Sequence, residues 1–251
     1  MICFGTYNIK GGVGKTSATI NLAYLASRDG YRTLVWDLDP QGASSFYLQA
    51  NPAKTGVGER LLDKKKTFRA AIRSTGFELL DIIPADIGNR HLDIDLNERK
   101  KPLARVARLL DSVADDYDVV FLDCSPSLSV ASENVFAAAD CLLIPIIPTP
   151  LSVRAYEQLT GFFKSSGRDP RRLLPFFSMV DRRKKLHREI VVDFARHHNE
   201  VLRSYIPYSS DIERMGVEQA PIGSFAARGP GGRAFASLWD SIQLRVGAGT
   251  G

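Results

Sequence analysis

Short apolar runs alternate along this chain with longer stretches of helical spacing. The runs fall at 2–7, 33–37, 79–83, 119–123, 141–146, 174–180 and, shortest of all, 205–207. Such runs, bounded by turn formers, read as strands buried on both faces. Between them apolar positions recur with helical period over 15–28, 103–114, 130–139, 151–165, 185–203 and 233–246. Pro102, Ser129 and Pro150 mark three of the helix starts. Strand followed by helix, repeated, predicts an α/β fold: a mostly parallel twisted sheet with helices on both faces. Turn formers crowd 49–58 and 223–232, and 247–251 is expected to fray. With no repeat, low-complexity tract or composition break, one domain over 1–246 is expected.

Composition narrows the class. A chain of 251 residues, 44% hydrophobic and 24% charged, can bury a full core, which excludes disordered, collagen-like and disulfide-scaffold classes. The apolar stretch 141–147 contains Pro145 and is followed by Pro148, far short of the roughly 20 apolar residues of a membrane helix. Residues 1–4 run straight into Gly5 and a glycine-rich loop without a cationic leader, so a cytosolic location is expected. Cys3, Cys124 and Cys141 form no CxxC pair and are expected to be buried thiols in a reducing compartment.

The formal charge of +5 is unevenly placed. Residues 168–233 hold 13 Lys and Arg against 8 Asp and Glu, while the rest of the chain is balanced, so the whole excess lies in the last third. A solvated charged face is the plain reading of such a run, and an anionic partner the functional one.

The first strand leads into Lys10-Gly11-Gly12-Val13-Gly14-Lys15-Thr16-Ser17 and then a helix, the setting a phosphate-binding loop requires. Glycines let backbone N–H groups approach a phosphate chain, the helix offers its positive end, and Lys15 can reach the outer phosphates. Thr16 supplies a hydroxyl for Mg²⁺. The usual pattern G-x-x-x-x-G-K-[ST] needs glycine where Ile9 stands, and carries no second lysine such as Lys10.

The run from Lys10 to Thr16 resembles the deviant Walker A motif of the ParA/MinD ATPases, and by that resemblance the chain is similar to the ParA-type partition ATPases. That resemblance implies ATP and Mg²⁺ as cofactors, Lys15 serving its own nucleotide, and Lys10 reaching the partner's ATP in a nucleotide-sandwich homodimer. Asp37-Leu38-Asp39-Pro40-Gln41-Gly42 is similar to the family's D-x-D-P-Q-G segment, which implies that Asp39 positions the attacking water and Asp37 supports the metal. Residues 119–123 resemble a Walker B strand, which implies that Asp123 holds the metal through water, with one proline, Pro126, where relatives usually carry two. The resemblance also implies that Asp181, Pro207 and Tyr208 frame the adenine.

The same resemblance implies an ATP-bound dimer on non-specific DNA, a nucleoid association, and a ParB-like adaptor that stimulates hydrolysis and links the ATPase to a cargo. Arg182, Arg183, Lys184, Lys185, Arg188 and Arg214 are the candidate phosphate-backbone contacts, with Arg228 and Arg233 adding charge beyond them. No helix-turn-helix extension is expected. A MinD-like membrane switch is the alternative, through the stripe Leu238, Trp239, Ile242, Leu244 and Val246; this stripe is expected in a closing core helix instead. A nucleotide-locked scaffold that hardly hydrolyses is a further alternative, opposed by Asp39. An iron–sulfur carrier is disfavoured because Cys124 and Cys141 read as core residues. His91, His187, His197 and His198 form no zinc pattern and are expected to be solvated or capping, and Ser125, Ser127 and Ser129 lack a nucleophile-elbow pattern.

Overall fold

The computed structural model describes residues 1–51, 64–85, 96 and 102–247, and among these, seven strands form one sheet. In chain order they are β1 (Ile2–Thr6), β2 (Thr33–Asp37), β3 (Arg73–Ser74), β4 (Leu80–Ile83), β5 (Val119–Asp123), β6 (Cys141–Ile146) and β7 (Leu173–Phe177). Their spatial order is β3-β4-β2-β5-β1-β6-β7, and every pairing is parallel except the short β3 edge. Parallel strands need crossovers, and the helices that supply them cover both faces.

The alternation of β2 shows how one strand feeds two cores. Leu34 and Trp36 enter a cluster with Tyr7, Leu122, Phe136, Tyr156 and Phe163, whereas Val35 joins Phe4, Phe121, Ile20 and Leu22 on the other face. The first cluster is closed by α4 (Arg105–Leu110), α5 (Val130–Ala138), α6 (Pro150–Ser165) and α7 (Lys185–His197). The second lies under α1 (Lys15–Arg28) and the last helix, α11 (Pro230–Gly247). Short helices α2 (Ala43–Tyr47), α3 (Lys65–Ala71), α8 (Ser210–Glu213), α9 (Met215–Glu218) and α10 (Ile222–Phe225) fill the remaining connections.

Several predicted bounds shift for local reasons. The strand expected over 174–180 stops at Phe177, because Met179 takes a left-handed φ of 55°. The strand expected at 205–207 is a single parallel bridge between Val180 and Pro207. The helix expected over 185–203 ends at His197; His198 leaves helical geometry, and Leu202 and Ile206 instead donate their N–H groups to Pro175 and Phe177. The helix expected over 103–114 is α4 between two 3-10 turns, Pro102–Ala104 and Asp111–Val113. Within the turn-rich stretch 223–232, α10 and the start of α11 are helical. Most of 49–58, His91 and the tail after Gly247 lie outside the described residues.

The stripe on α11 is core rather than anchor at its centre: Leu238, Trp239 and Ile242 are buried, while Leu244 is 75% exposed. Among the described residues no helix is long and apolar enough to cross a membrane.

Candidate functional site

The strands β1, β2 and β5 lie side by side, so their carboxyl ends deliver three sequence motifs to one edge of the sheet. The loop after β1 turns through two left-handed glycines, Gly12 (φ 71°) and Gly14 (φ 91°). Gly14 is also the residue that caps α1, and a Cβ there would stand 2.9 Å from Ser178 Oγ. Asn8 braces the loop from below: its Nδ2 donates to the Pro145 carbonyl at 2.8 Å, and its Oδ1 accepts from the Lys10 N–H at 2.9 Å.

Lys15 begins α1 and is almost fully buried, with its Nζ 3.2 Å from the Lys10 carbonyl. Burial pulls its pKa down, and the charges of Asp123, Cys124 and Asp39 partly oppose that pull. A desolvated ammonium that reaches a neutral carbonyl rather than a carboxylate is poised for an added anion. Gly11 and Gly12 are exposed, Val13 is buried, and Gly14, Thr16 and Ser17 are half-buried.

Asp37 and Asp123 end neighbouring strands as Cα partners, and both are wholly buried. Desolvation raises the pKa of each. For Asp37 the Asp123 charge adds to the rise, while hydrogen bonds from Ser45 and Asp39 oppose it. For Asp123, hydrogen bonds from Ser44 and Thr16 and the Lys15 charge work the other way. Asp39 lies half-buried just past β2, its Oδ1 accepting from the Gln41 N–H at 2.9 Å and its carbonyl from the Gly42 N–H at 2.9 Å. The sequence patterns did not mark Ser44, Ser45, Thr19 or Asn8. Their signal is only that Ser44 and Ser45 follow a glycine turn, Thr19 sits one helical turn into α1, and Asn8 lies between β1 and the glycine loop.

Pro207 and Tyr208 line a small cavity of about 60 Å³ beside the loop, together with Gly14, Ser17, Phe176 and Met179. Asp181 does not line it. Its carboxylate pairs with Arg183 at 2.9 Å, which holds its pKa down at about 2, and its N–H donates to His187 Nδ1 at 3.1 Å. His187 is therefore a correction: it is 6% exposed and accepts a backbone hydrogen bond, instead of being solvated or capping. His197 is exposed, and His198 stacks on Phe194 and meets Glu200 at 2.9 Å.

Arg182, Arg183, Lys184, Lys185, Arg188 and Arg214 are all exposed, but they are not equivalent. Arg183 is paired with Asp181, Arg214 with Glu218 at 2.7 Å, and Lys185 with Glu189 at 3.5 Å, while Arg188 donates to the Arg182 carbonyl. Among the described residues, Arg182 and Lys184 have no carboxylate partner. Arg233 hydrogen-bonds the Arg228 carbonyl.

The thiols differ in burial: Cys3 and Cys124 are buried, whereas Cys141 is half-buried, which corrects the expectation for that residue, and desolvation raises the pKa of all three. Ser125, Ser127 and Ser129 form a hydroxyl chain from the end of β5 to the cap of α5, where Ser129 and Ser132 make a reciprocal capping box.

Comparison with known proteins agrees with this geometry. The AAA domain family matches residues 1–172. The chromosome-partitioning ATPase Soj of Treponema pallidum is 31% identical over 248 residues, covering 96% of each chain. The sporulation initiation inhibitor protein Soj of Bacillus subtilis is 27% identical over 92% of this chain and 94% of its own. Among solved structures, cobyrinic acid a,c-diamide synthase of Mycobacterium smegmatis with a bound ATP analog and magnesium superposes with a TM-score of 0.82 at 26% identity, covering 99% of this chain and 97% of that one. The cell division ATPase MinD of Pyrococcus furiosus shares the fold, with a TM-score of 0.78 at 22% identity over 97% and 98% of the two chains. Motifs, sheet and full-length relatives converge: the chain belongs to the ParA/Soj partition ATPases of the ParA/MinD family.

Proposed function

We propose that this chain is a Mg²⁺-dependent ATPase that dimerises around ATP, binds DNA without sequence preference in that state, and leaves it after hydrolysis. The observation that carries the reading is Lys15. A buried ammonium sits at the end of a glycine loop, against a carbonyl and beside acidic strand ends.

The residues fit the nucleotide and its metal. Gly12 and Gly14 give the loop the left-handed turns that aim backbone N–H groups at phosphates, and the helix start at Lys15 adds its positive end. Thr16, Asp37 and Asp123 form a set of hard oxygen donors, as Mg²⁺ takes when phosphates complete its shell. When bound, the magnesium nucleotide supplies the reacting phosphoryl group and a cation that balances its charge. Lys15 holds the outer phosphates, Asp39 orients a water, and Lys10 of the partner subunit adds the charge that one chain lacks. Pro207 and Tyr208 then border the base, with Ser17 on the loop side. Asp181 acts on that region only through the main chain, since the Val180 bridge to Pro207 lies next to it.

The exposed cations of 182–188, with Arg214, are the DNA surface. A dimer doubles their number, which makes DNA affinity depend on the nucleotide and steeply on salt. A ParB-like adaptor on a cargo accelerates hydrolysis, and the ATP form collects on the nucleoid while the released form returns to the cytoplasm.

Co-sedimentation with random-sequence DNA tests this, comparing ATP, ADP and no nucleotide across a salt series, with anionic liposomes in parallel. ATP-dependent, salt-sensitive DNA binding is expected. Liposome binding without DNA binding would replace this reading with a MinD-like membrane switch.

A further inference from the structure

We propose that Ser44 and Ser45 are positioning residues that fix the orientation of the two metal-side carboxylates, an inference that rests on the magnesium-nucleotide reading of the site. Both serines lie on α2, directly after the Asp39–Gly42 turn, and both are buried. Ser44 Oγ donates to Asp123 Oδ2 at 2.7 Å. Ser45 gives Asp37 Oδ2 two donors, its N–H at 2.8 Å and its hydroxyl at 2.7 Å. The Ala85 N–H donates to Ser45 Oγ at 2.8 Å, so that hydroxyl accepts from β4's end while it donates to Asp37.

The arrangement answers a physical problem. Two carboxylates on adjacent strands, out of reach of water, repel each other and need donors. The donors come from α2, the element that follows β2: Ser45 serves the carboxylate of that same strand, and Ser44 reaches across to the end of β5. The serines engage the Oδ2 atom of each aspartate. The Oδ1 atoms meet other groups: Thr19 Oγ1 at 3.5 Å for Asp123 and the Asp39 N–H at 3.3 Å for Asp37. Each carboxylate is thus held against rotation by a short bond on one oxygen.

A second consequence follows from covalent proximity. The same short segment carries Asp39, whose turn is closed by the Gly42 and Gln41 N–H groups. The water-side carboxylate and the two metal-side carboxylates therefore belong to one braced unit, not to three independent loops. Loss of a hydroxyl that orients a metal-side carboxylate typically weakens metal binding by about 10- to 100-fold.

The test is equilibrium binding of a fluorescent ATP analogue to the full chain, titrated with Mg²⁺ and repeated in EDTA. Ser44→Ala is expected to raise the Mg²⁺ concentration for half-saturation by about tenfold, with the EDTA affinity unchanged. A folded Ser44→Ala with the wild-type Mg²⁺ dependence would overturn the positioning role. Nucleotide binding by the wild-type chain that ignores Mg²⁺ altogether would instead overturn the reading on which it rests. Should Ser44→Ala melt well below wild type, Ser44→Cys, which keeps the volume and donates only weakly, carries the same expected shift and the same contrary result.

Discussion

Lys15 donates its ammonium to the backbone carbonyl of Lys10, five residues earlier and 3.2 Å away. The two lysines of the loop therefore contribute differently to the chain itself. Lys15 is buried and turned inward, while Lys10 provides a carbonyl and leaves its half-buried side chain with no hydrogen-bond or ion-pair partner among the described residues. An ammonium held at a loop without a partner in its own chain suits a role toward a second molecule.

Lys10→Ala is accordingly expected to keep nucleotide affinity within a few-fold and to lose the ATP-dependent dimer. Light scattering with a slowly hydrolysed ATP analogue separates the two. A variant that dimerises as wild type does would remove Lys10 from the interface.

The glycine that caps α1 leads to a stability prediction. Gly14 has a φ of 91°, and an added Cβ would approach Ser178 Oγ to 2.9 Å. Left-handed geometry alone costs an L-residue roughly 1–2 kcal/mol. Gly14→Ala should therefore lower the unfolding free energy by at least about 1 kcal/mol without nucleotide, measured by urea denaturation. Gly11→Ala, at a position where the nearest atom to a Cβ is 3.9 Å away, serves as the control and should change stability less.

How far these features were legible in the sequence differs by physical origin. Strands β2, β5 and β6 matched their apolar runs to the residue, because burial on both faces writes itself into local composition. The glycine loop, Asp37, Asp39 and Asp123 could be singled out because their motifs tie residue type to spacing, and the structure brings these segments to one edge of the sheet. Ser44 and Ser45 were not, since a hydroxyl on a short helix aimed at a carboxylate at a strand end leaves no period and no spacing rule. The end of α7 was illegible for a related reason. Residues after His197 keep apolar positions that suit a helix, but Leu202 and Ile206 spend their N–H groups on β7. Likewise the pairing of Arg183 with Asp181 depends on a turn that the charge pattern alone does not specify.

His187 ties stability to pH. Its Nδ1 accepts the Asp181 N–H, which requires the ring nitrogen to be unprotonated. Burial and the nearby Lys184 charge lower its pKa below the ordinary 6.5, and the Asp181 carboxylate opposes them. A histidine whose folded pKa is depressed contributes its stability above the unfolded value, and that contribution is lost as pH falls through the window below 6.5. Thermal melts from pH 8 to pH 5 should show this loss. His187→Asn, which keeps an acceptor near the Nδ1 position but cannot take up the proton, should flatten that part of the profile; an unchanged profile would show that other groups govern it.

The basic run makes the sharpest distinction between residues that composition treats alike. Arg183 and Arg214 are already paired with carboxylates, so a phosphate gains from them only after competing with Asp181 or Glu218. Arg182 and Lys184 have no such competitor among the described residues. Removing one cation that neutralises a phosphate should reduce the slope of log affinity against log salt by about 0.9 on duplex DNA. Arg182→Ala combined with Lys184→Ala is therefore expected to lower the slope by nearly 2 per chain, while Arg183→Ala combined with Arg214→Ala lowers it by less. ATP-dependent dimerisation should remain intact in both pairs, which separates weakened DNA binding from a broken switch. If the Arg183 and Arg214 pair weakens DNA binding more, those ion pairs must open on the DNA, and the surface is then set by rearrangement instead of by the free cations.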